Sequence, residues 1–217
     1  MIVSTAQAAE QLGVTRRRVS ELVRSGALEA VELSGRYVID AAALGRFAFT
    51  TRLNGRPWDQ DLSWEILRAL SGEDIQLSER AQNRIESNSV VDIAGQINRL
   101  LVIRRFQAQG LIQSEHFLAK TGESAVERLG VQLAGSSQEL HAFSLVDNPE
   151  LAFDAVPYSD GNLVLYAWRD TEIRVSDTTP LALVAVNCML SENSRVREAG
   201  KVSLEELRKS WLAKHSK

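Results

Sequence analysis

This chain carries one cysteine, Cys188, so no intramolecular disulfide can hold it together. Its three histidines, His116, His141 and His215, are scattered, and none stands in a spaced metal-binding motif. No glycine-rich phosphate cradle follows a strand pattern, so neither a metal nor a cofactor is expected. Catalysis finds little support. Cys188 lies in an apolar run without an adjacent base and reads as a small buried hydrophobe. The acids Asp147, Glu150 and Asp154 have no second constellation beside them and read as a solvated group. No apolar run approaches the roughly 20 residues of a membrane span, and Met1 leads into a polar segment without a signal-like apolar core. These absences lead us to expect a cytoplasmic protein that is not an enzyme.

What is present is an ordinary globular composition: 217 residues, 44% hydrophobic and 24% charged. That length allows one large domain or two small ones. The net charge of −3 is an odd balance for a nucleic-acid binder, but its distribution is uneven. Residues 1–56 carry eight arginines against five acids, a local charge of +3, which leaves −6 for the rest. A basic head on an acidic body suits one domain for nucleic acid and another for a different partner.

The head is written between Ser4 and Asp40. Ser4 with Gln7 forms a capping-box pattern for a first helix over 5–12, and Gly13 is placed to end it. Thr15 caps a second helix running from Arg16 to Ser25 and closed by Gly26. On that helix Val19, Leu22 and Val23 share an apolar face, while Arg17, Glu21 and Arg24 project opposite them, flanked by Arg18 and Ser20. Three consecutive arginines at a helix N-terminus oppose the macrodipole. Their placement makes sense if a phosphate backbone lies nearby and the helix tip enters a major groove. Two extended runs then flank Ser34-Gly35-Arg36, which is a hairpin signal. Following a helix pair, this hairpin is a wing whose tip, with Ser34, Gly35, Arg36 and Tyr37, can meet the backbone or minor groove. The expected DNA-contacting set is therefore Thr15, Arg16, Arg17, Arg18, Ser20, Glu21, Arg24, Ser34, Gly35, Arg36 and Tyr37.

These residues resemble the excisionase-type, MerR-related winged helix-turn-helix. The likeness rests on Ala8-Ala9 before Leu12-Gly13-Val14, on Ser25-Gly26-Ala27-Leu28, and on Gly35-Arg36-Tyr37-Val38 leading into Asp40. It covers about the first fifth of the chain.

Beyond a third helix ending near Phe49, residues 50–57 read as a linker, with the Asn54-Gly55 turn signal and Pro57. Domains are thus expected at 1–56 and 57–217. In the body, helices are expected over 60–70, 78–86 and from Val90, with Trp64 off the apolar face of the first. A strand is expected over 103–108, and short helices over 114–120 and 123–129. Strands follow over 139–145, 151–156, 162–168 and 172–175. Pro180 should stand in the first turn of an apolar helix over 181–190. Ser194 opens a last helical region that can break at Gly200. The fold class expected is α+β, a winged helix-turn-helix followed by a larger mixed α/β domain.

The body resembles the C-terminal domain of AbiE-type bacterial antitoxins. The matching parts are Gly55-Arg56-Pro57 with Trp64-Glu65-Ile66-Leu67, Gly161 to Leu165, Pro180 to Asn187, and Ser194 to Gly200. One residue departs from the pattern: Asn187 stands where an Asp is expected. The resemblance implies a DNA-binding antitoxin that represses its own promoter and neutralises a toxin of the nucleotidyltransferase fold, with double-stranded operator DNA and that toxin as partners. A homodimer on DNA is compatible with it. The basic residues Arg195, Arg197 and Lys201 could hold an acidic partner or tRNA, or simply form a solvated face. The alternative is an excisionase- or MerR-like recombination factor or one-component regulator, whose body holds a recombinase or a small ligand.

Overall fold

The computed structural model describes residues 2–25, 27–28, 30–33, 35–51, 56–109, 111, 115–132, 139–158, 160–169 and 175–215. The protein is mixed α and β. It divides into two compact units, Met1–Gly55 and Arg56–Lys217. Among the described residues, no helix is long and apolar enough to cross a membrane.

In the first unit, strand β1 (Ile2–Ser4) leads directly into α1 (Thr5–Leu12). Ser4 closes the reciprocal capping box with Gln7. Gly13 ends the helix at φ 66°, a left-handed conformation that costs glycine no Cβ clash. Thr15 accepts from the Arg18 amide and starts α2 (Arg16–Arg24). Strands β2 (Val31–Leu33) and β3 (Arg36–Asp40) form an antiparallel hairpin, and α3 (Ala41–Thr51) follows. Leu33 pairs with Arg36, and Gly35, just before Arg36, sits at φ 74°, a left-handed value that glycine holds without a Cβ clash. The sheet order is β1-β3-β2. β1 is an addition to the expected two-stranded hairpin: Ile2, Val3 and Ser4 pair with Asp40, Ile39 and Val38. Val3, Ala8, Ala9, Val19, Leu22, Leu28, Ile39 and Leu44 form one core.

In the second unit, α4 (Gln60–Leu70), α5 (Glu79–Ser87) and α6 (Val90–Asn98) are each started by the side chain of Asp59, Ser78 or Ser89. The sheet order is β5-β6-β8-β4-β7, built from β4 (Leu101–Ala108), β5 (Leu118–Lys120), β6 (Leu140–Ser144), β7 (Ala155–Pro157) and β8 (Leu163–Trp168). Among the described residues, only the β6/β8 pair within this sheet is parallel. The short helix α7 (Pro149–Ala152) precedes β7. Two further helices, α8 (Leu181–Cys188) and α9 (Ser194–His215), complete the unit. Every residue of α8 after Leu181 is buried, as befits a helix apolar on all sides.

Several expectations change here. Residues 118–120 form a strand, because β6 offers them a pairing edge (Leu118 with Ser144), after a 3-10 turn at Glu115–Phe117. The short helix expected over 123–129 is present as the 3-10 helix Gly122–Leu129. The 151–156 strand divides into α7 and β7, with Asp154 at φ 45° between them. Pro180 stands at the N-cap of α8, one residue before its first turn. The last helix runs unbroken through Gly200. There a Cβ would lie 2.5 Å from the Ala185 carbonyl oxygen and 2.8 Å from Cys188 Cβ, so the glycine is a crossing point of α9 over α8. Trp64 meets Trp168 edge-to-face at 5.9 Å between ring centres. The expected strand at 172–175 falls largely on residues outside those described.

Candidate nucleic-acid interface

The second helix presents two distinct faces. Val19 and Leu22 are buried in the core of their unit, with Val23 packed beside them. That leaves Arg16, Arg17, Arg18 and Arg24 exposed on the remaining surface. Ser20 donates its hydroxyl to the Arg16 carbonyl and so faces back along the helix. Thr15 is occupied as the cap.

Glu21 organises this surface. Its Oε1 accepts from Arg17 Nε at 3.0 Å, and its Oε2 lies 3.5 Å from an Arg18 guanidinium nitrogen. One carboxylate therefore serves two arginines, which holds their charge and restrains their rotamers. Among the described residues, Arg16 and Arg24 have no ion pair, so the helix carries two tethered cations and two open ones. Tethered guanidiniums suit base edges, where direction matters; open ones suit phosphates, where charge suffices.

The hairpin residues separate. Residues directly opposite in an antiparallel pair share a face. Arg36 pairs with Leu33 on the face away from the core, whereas Tyr37 pairs with Glu32 on the face that carries Val3 and Ile39. Gly35 is at the turn, and Ser34 lies outside the described residues.

In the second unit, the three candidate basic residues are not equivalent. Arg197 donates to the carbonyls of Ser191 at 2.7 Å and Glu192 at 2.9 Å, closing the turn before α9. Arg195 and Lys201 are exposed. An open cleft of about 480 Å³ is lined by Trp64, Arg68, Ser71, Arg128 and Thr178 among others. Arg68 is paired there with Glu73 at 2.6 Å, and Arg128 donates to the Thr179 carbonyl at 2.8 Å.

A polar chain, half-buried at Arg105 and Glu139 and buried at His141 and Tyr166, also runs along the five-stranded sheet. Arg105 pairs with Glu139 at 2.6 Å, Glu139 lies 3.4 Å from His141 Nε2, and His141 Nδ1 is 3.1 Å from the Tyr166 hydroxyl. The His141 contact, then Arg105, hold the Glu139 carboxyl below the usual glutamate range. Sequence reasoning passed over this chain. The available signal was Glu139 and His141 at alternate positions beside a strand, which places them on one face. Cys188 is buried, and its thiol is pushed up to about 12 by burial and then by Glu123. Among the described residues, no three His, Cys, Asp or Glu side chains come together as a metal set.

No family model, curated protein or solved structure matches this chain.

Proposed function

We propose that the chain is a DNA-binding antitoxin that represses its own promoter and, through its second unit, neutralises a toxin of the nucleotidyltransferase fold. The observation that carries the DNA-binding half is the α2 surface. Four exposed arginines occupy a helix whose other face is locked into a core, and a single glutamate holds two of them in place. A stable isolated helix gains nothing from three arginines in its first turn. Apposed to a phosphate backbone, the same charges release counterions and bind. In this reading the unit is a winged helix-turn-helix, α2 is the recognition helix, and the β2–β3 hairpin is the wing. The toxin-directed half rests on the resemblance of the body to AbiE-type antitoxins. A promoter repressor of this kind works in the cytoplasm.

Two measurements test the proposal. Fluorescence anisotropy with the chain's own promoter duplex and a scrambled duplex should show tighter binding to the promoter. Co-expression with the product of the neighbouring gene should rescue growth and yield a co-purifying complex or a defined loss of toxin activity. Equal binding to both duplexes would remove the repressor assignment, and failure of rescue would remove the antitoxin assignment. The Trp64–Arg68–Arg128 cleft favours a one-component regulator as the second reading: with Arg68 paired to Glu73 and Arg128 donating to the Thr179 carbonyl, its lining of an indole and mixed charge suits a small polar ligand.

A further inference from the structure

We propose that the outer face of the three-stranded sheet pairs two copies of this chain, with the two β3 strands packed face to face and running in opposite directions. The register of the sheet defines that face. Ile2 and Ser4 on β1, Arg36, Val38 and Asp40 on β3, and Val31 and Leu33 on β2 all lie on the side opposite Val3 and Ile39. Three of these aliphatic side chains are in water: Ile2 is 51% exposed, Val31 57% and Leu33 54%. Val38 lies between them, half-buried. Single exposed aliphatics are ordinary, but a cluster across all three strands of so small a sheet marks a docking surface.

The charge order along β3 names the occupant. Outward positions read Arg36, Val38, Asp40: positive, apolar, negative. A second copy can face this surface about a two-fold axis lying in the plane between the sheets. An axis parallel to the strands sets Arg36 against Arg36 and Asp40 against Asp40, which is repulsive. An axis across the strands sets each Arg36 against Asp40 of the other copy, Val38 against Val38, and Val31 against Val31. Only the second arrangement pairs charge and apolar surface together. Asp40 heads α3, and a carboxylate has acceptor capacity for more than one partner. Packed sheets keep their strands within about 30° of alignment and lie about 10 Å apart, so the antiparallel β3 pair is an accessible geometry. The patch is small beside a constitutive interface of about 800 Å² per partner, so the pairing is weak and concentration-dependent.

The pairing occupies Arg36, so in the paired state α2 and not that side chain carries the DNA contact; the pairing is measured without DNA, so its failure and that of the operator reading are separable. The native thiol is buried and silent, which leaves an introduced cysteine as the sole reporter. Val31→Cys sits where the two copies meet. Under diamide it should form a covalent dimer about tenfold faster than Glu10→Cys, an exposed control on α1, because proximity raises the effective thiol concentration. In sedimentation velocity at about 100 µM, the wild type should show dimer. Arg36→Asp and Asp40→Arg should each abolish it, and the double exchange should restore it. If Asp40→Arg unfolds by circular dichroism, the cross-linking comparison decides alone. Equal cross-linking rates at the two cysteines, or single and double variants that sediment alike, would overturn the proposal. Loss in a single variant without recovery in a folded double exchange would overturn the antiparallel arrangement.

Discussion

Replacing Glu21 by Gln separates what its carboxylate does for the fold from what the proposed DNA-binding role asks of it. The side chain bridges Arg17 and Arg18, both well exposed, at 3.0 and 3.5 Å. Exposed i,i+4 pairs contribute about 0.3–0.5 kcal/mol, and the longer contact adds less. Thermal stability should therefore fall by no more than about 0.5 kcal/mol. The effect on DNA has the opposite sign. The variant removes one negative charge from a surface of four arginines and releases two of them to reach phosphates. One additional phosphate contact steepens the logarithmic dependence of affinity on salt by about 0.9. Anisotropy titrations of a scrambled duplex over about 50–200 mM salt should show several-fold tighter binding and that steeper slope. On the promoter the gain should be smaller, because an untethered Arg17 loses its aim at a base edge. A folded Glu21→Gln protein that binds scrambled DNA no better than wild type would refute the placement of this surface against a phosphate backbone.

Arg16→Ala should weaken all duplexes alike and flatten the salt dependence by about one phosphate, whereas Arg17→Ala should cost about 1–3 kcal/mol on the promoter alone, as compared by the same titrations. Gly200→Ala gains about 1 kcal/mol of helix propensity but forces a methyl against the Ala185 carbonyl, and overpacking of that kind costs about 1–3 kcal/mol. Urea denaturation should show a net loss. The lowered Glu139 carboxyl contributes stability that is present above its ordinary value of 4.5 and lost as pH falls through the lower folded value. As pH falls from above 4.5 through that lower folded value, Glu139→Gln should lose stability less steeply than wild type in acid melts. Cys188, with its thiol pushed up to about 12, should not react with a thiol reagent in native buffer and should react fully in denaturant.

Local chemistry made the first unit legible. Ser4, Gly13, Thr15 and Gly35 each act within four residues of themselves, and all four sit where capping and turn rules put them. What local rules miss is pairing across distance. Ile2–Ser4 is three residues long and has no strand signature of its own; β3 makes it a strand. The same holds for Leu118–Lys120, which pairs with β6. Gly200 reads as a helix breaker until Ala185 and Cys188 are seen pressing on it. In the candidate site, the arginines of α2 were visible from their wheel. The double use of Glu21 was less so, since spacing permits the Arg17 and Arg18 contacts without choosing between them. The Arg105–Glu139–His141–Tyr166 chain draws on three strands, so beyond the Glu139–His141 spacing its members have no local signal joining them.

The order β5-β6-β8-β4-β7 bears on how the protein is made. The central strand, β8, is the last of the five to leave the ribosome, yet it joins β6 to β4. Until Trp168 has emerged, β5 with β6 and β4 with β7 are two separate ribbons with exposed inner edges. The loop-closure entropy of the β8/β4 ladder is also met late, across more than fifty intervening residues. Met1–Gly55 has its own core and no such dependence, so the first unit can be folded while the second is still an open, aggregation-prone intermediate. A nascent chain stalled between β7 and β8 would therefore carry a finished head and an unfinished body. Any partner that binds the completed sheet would have to wait for β8.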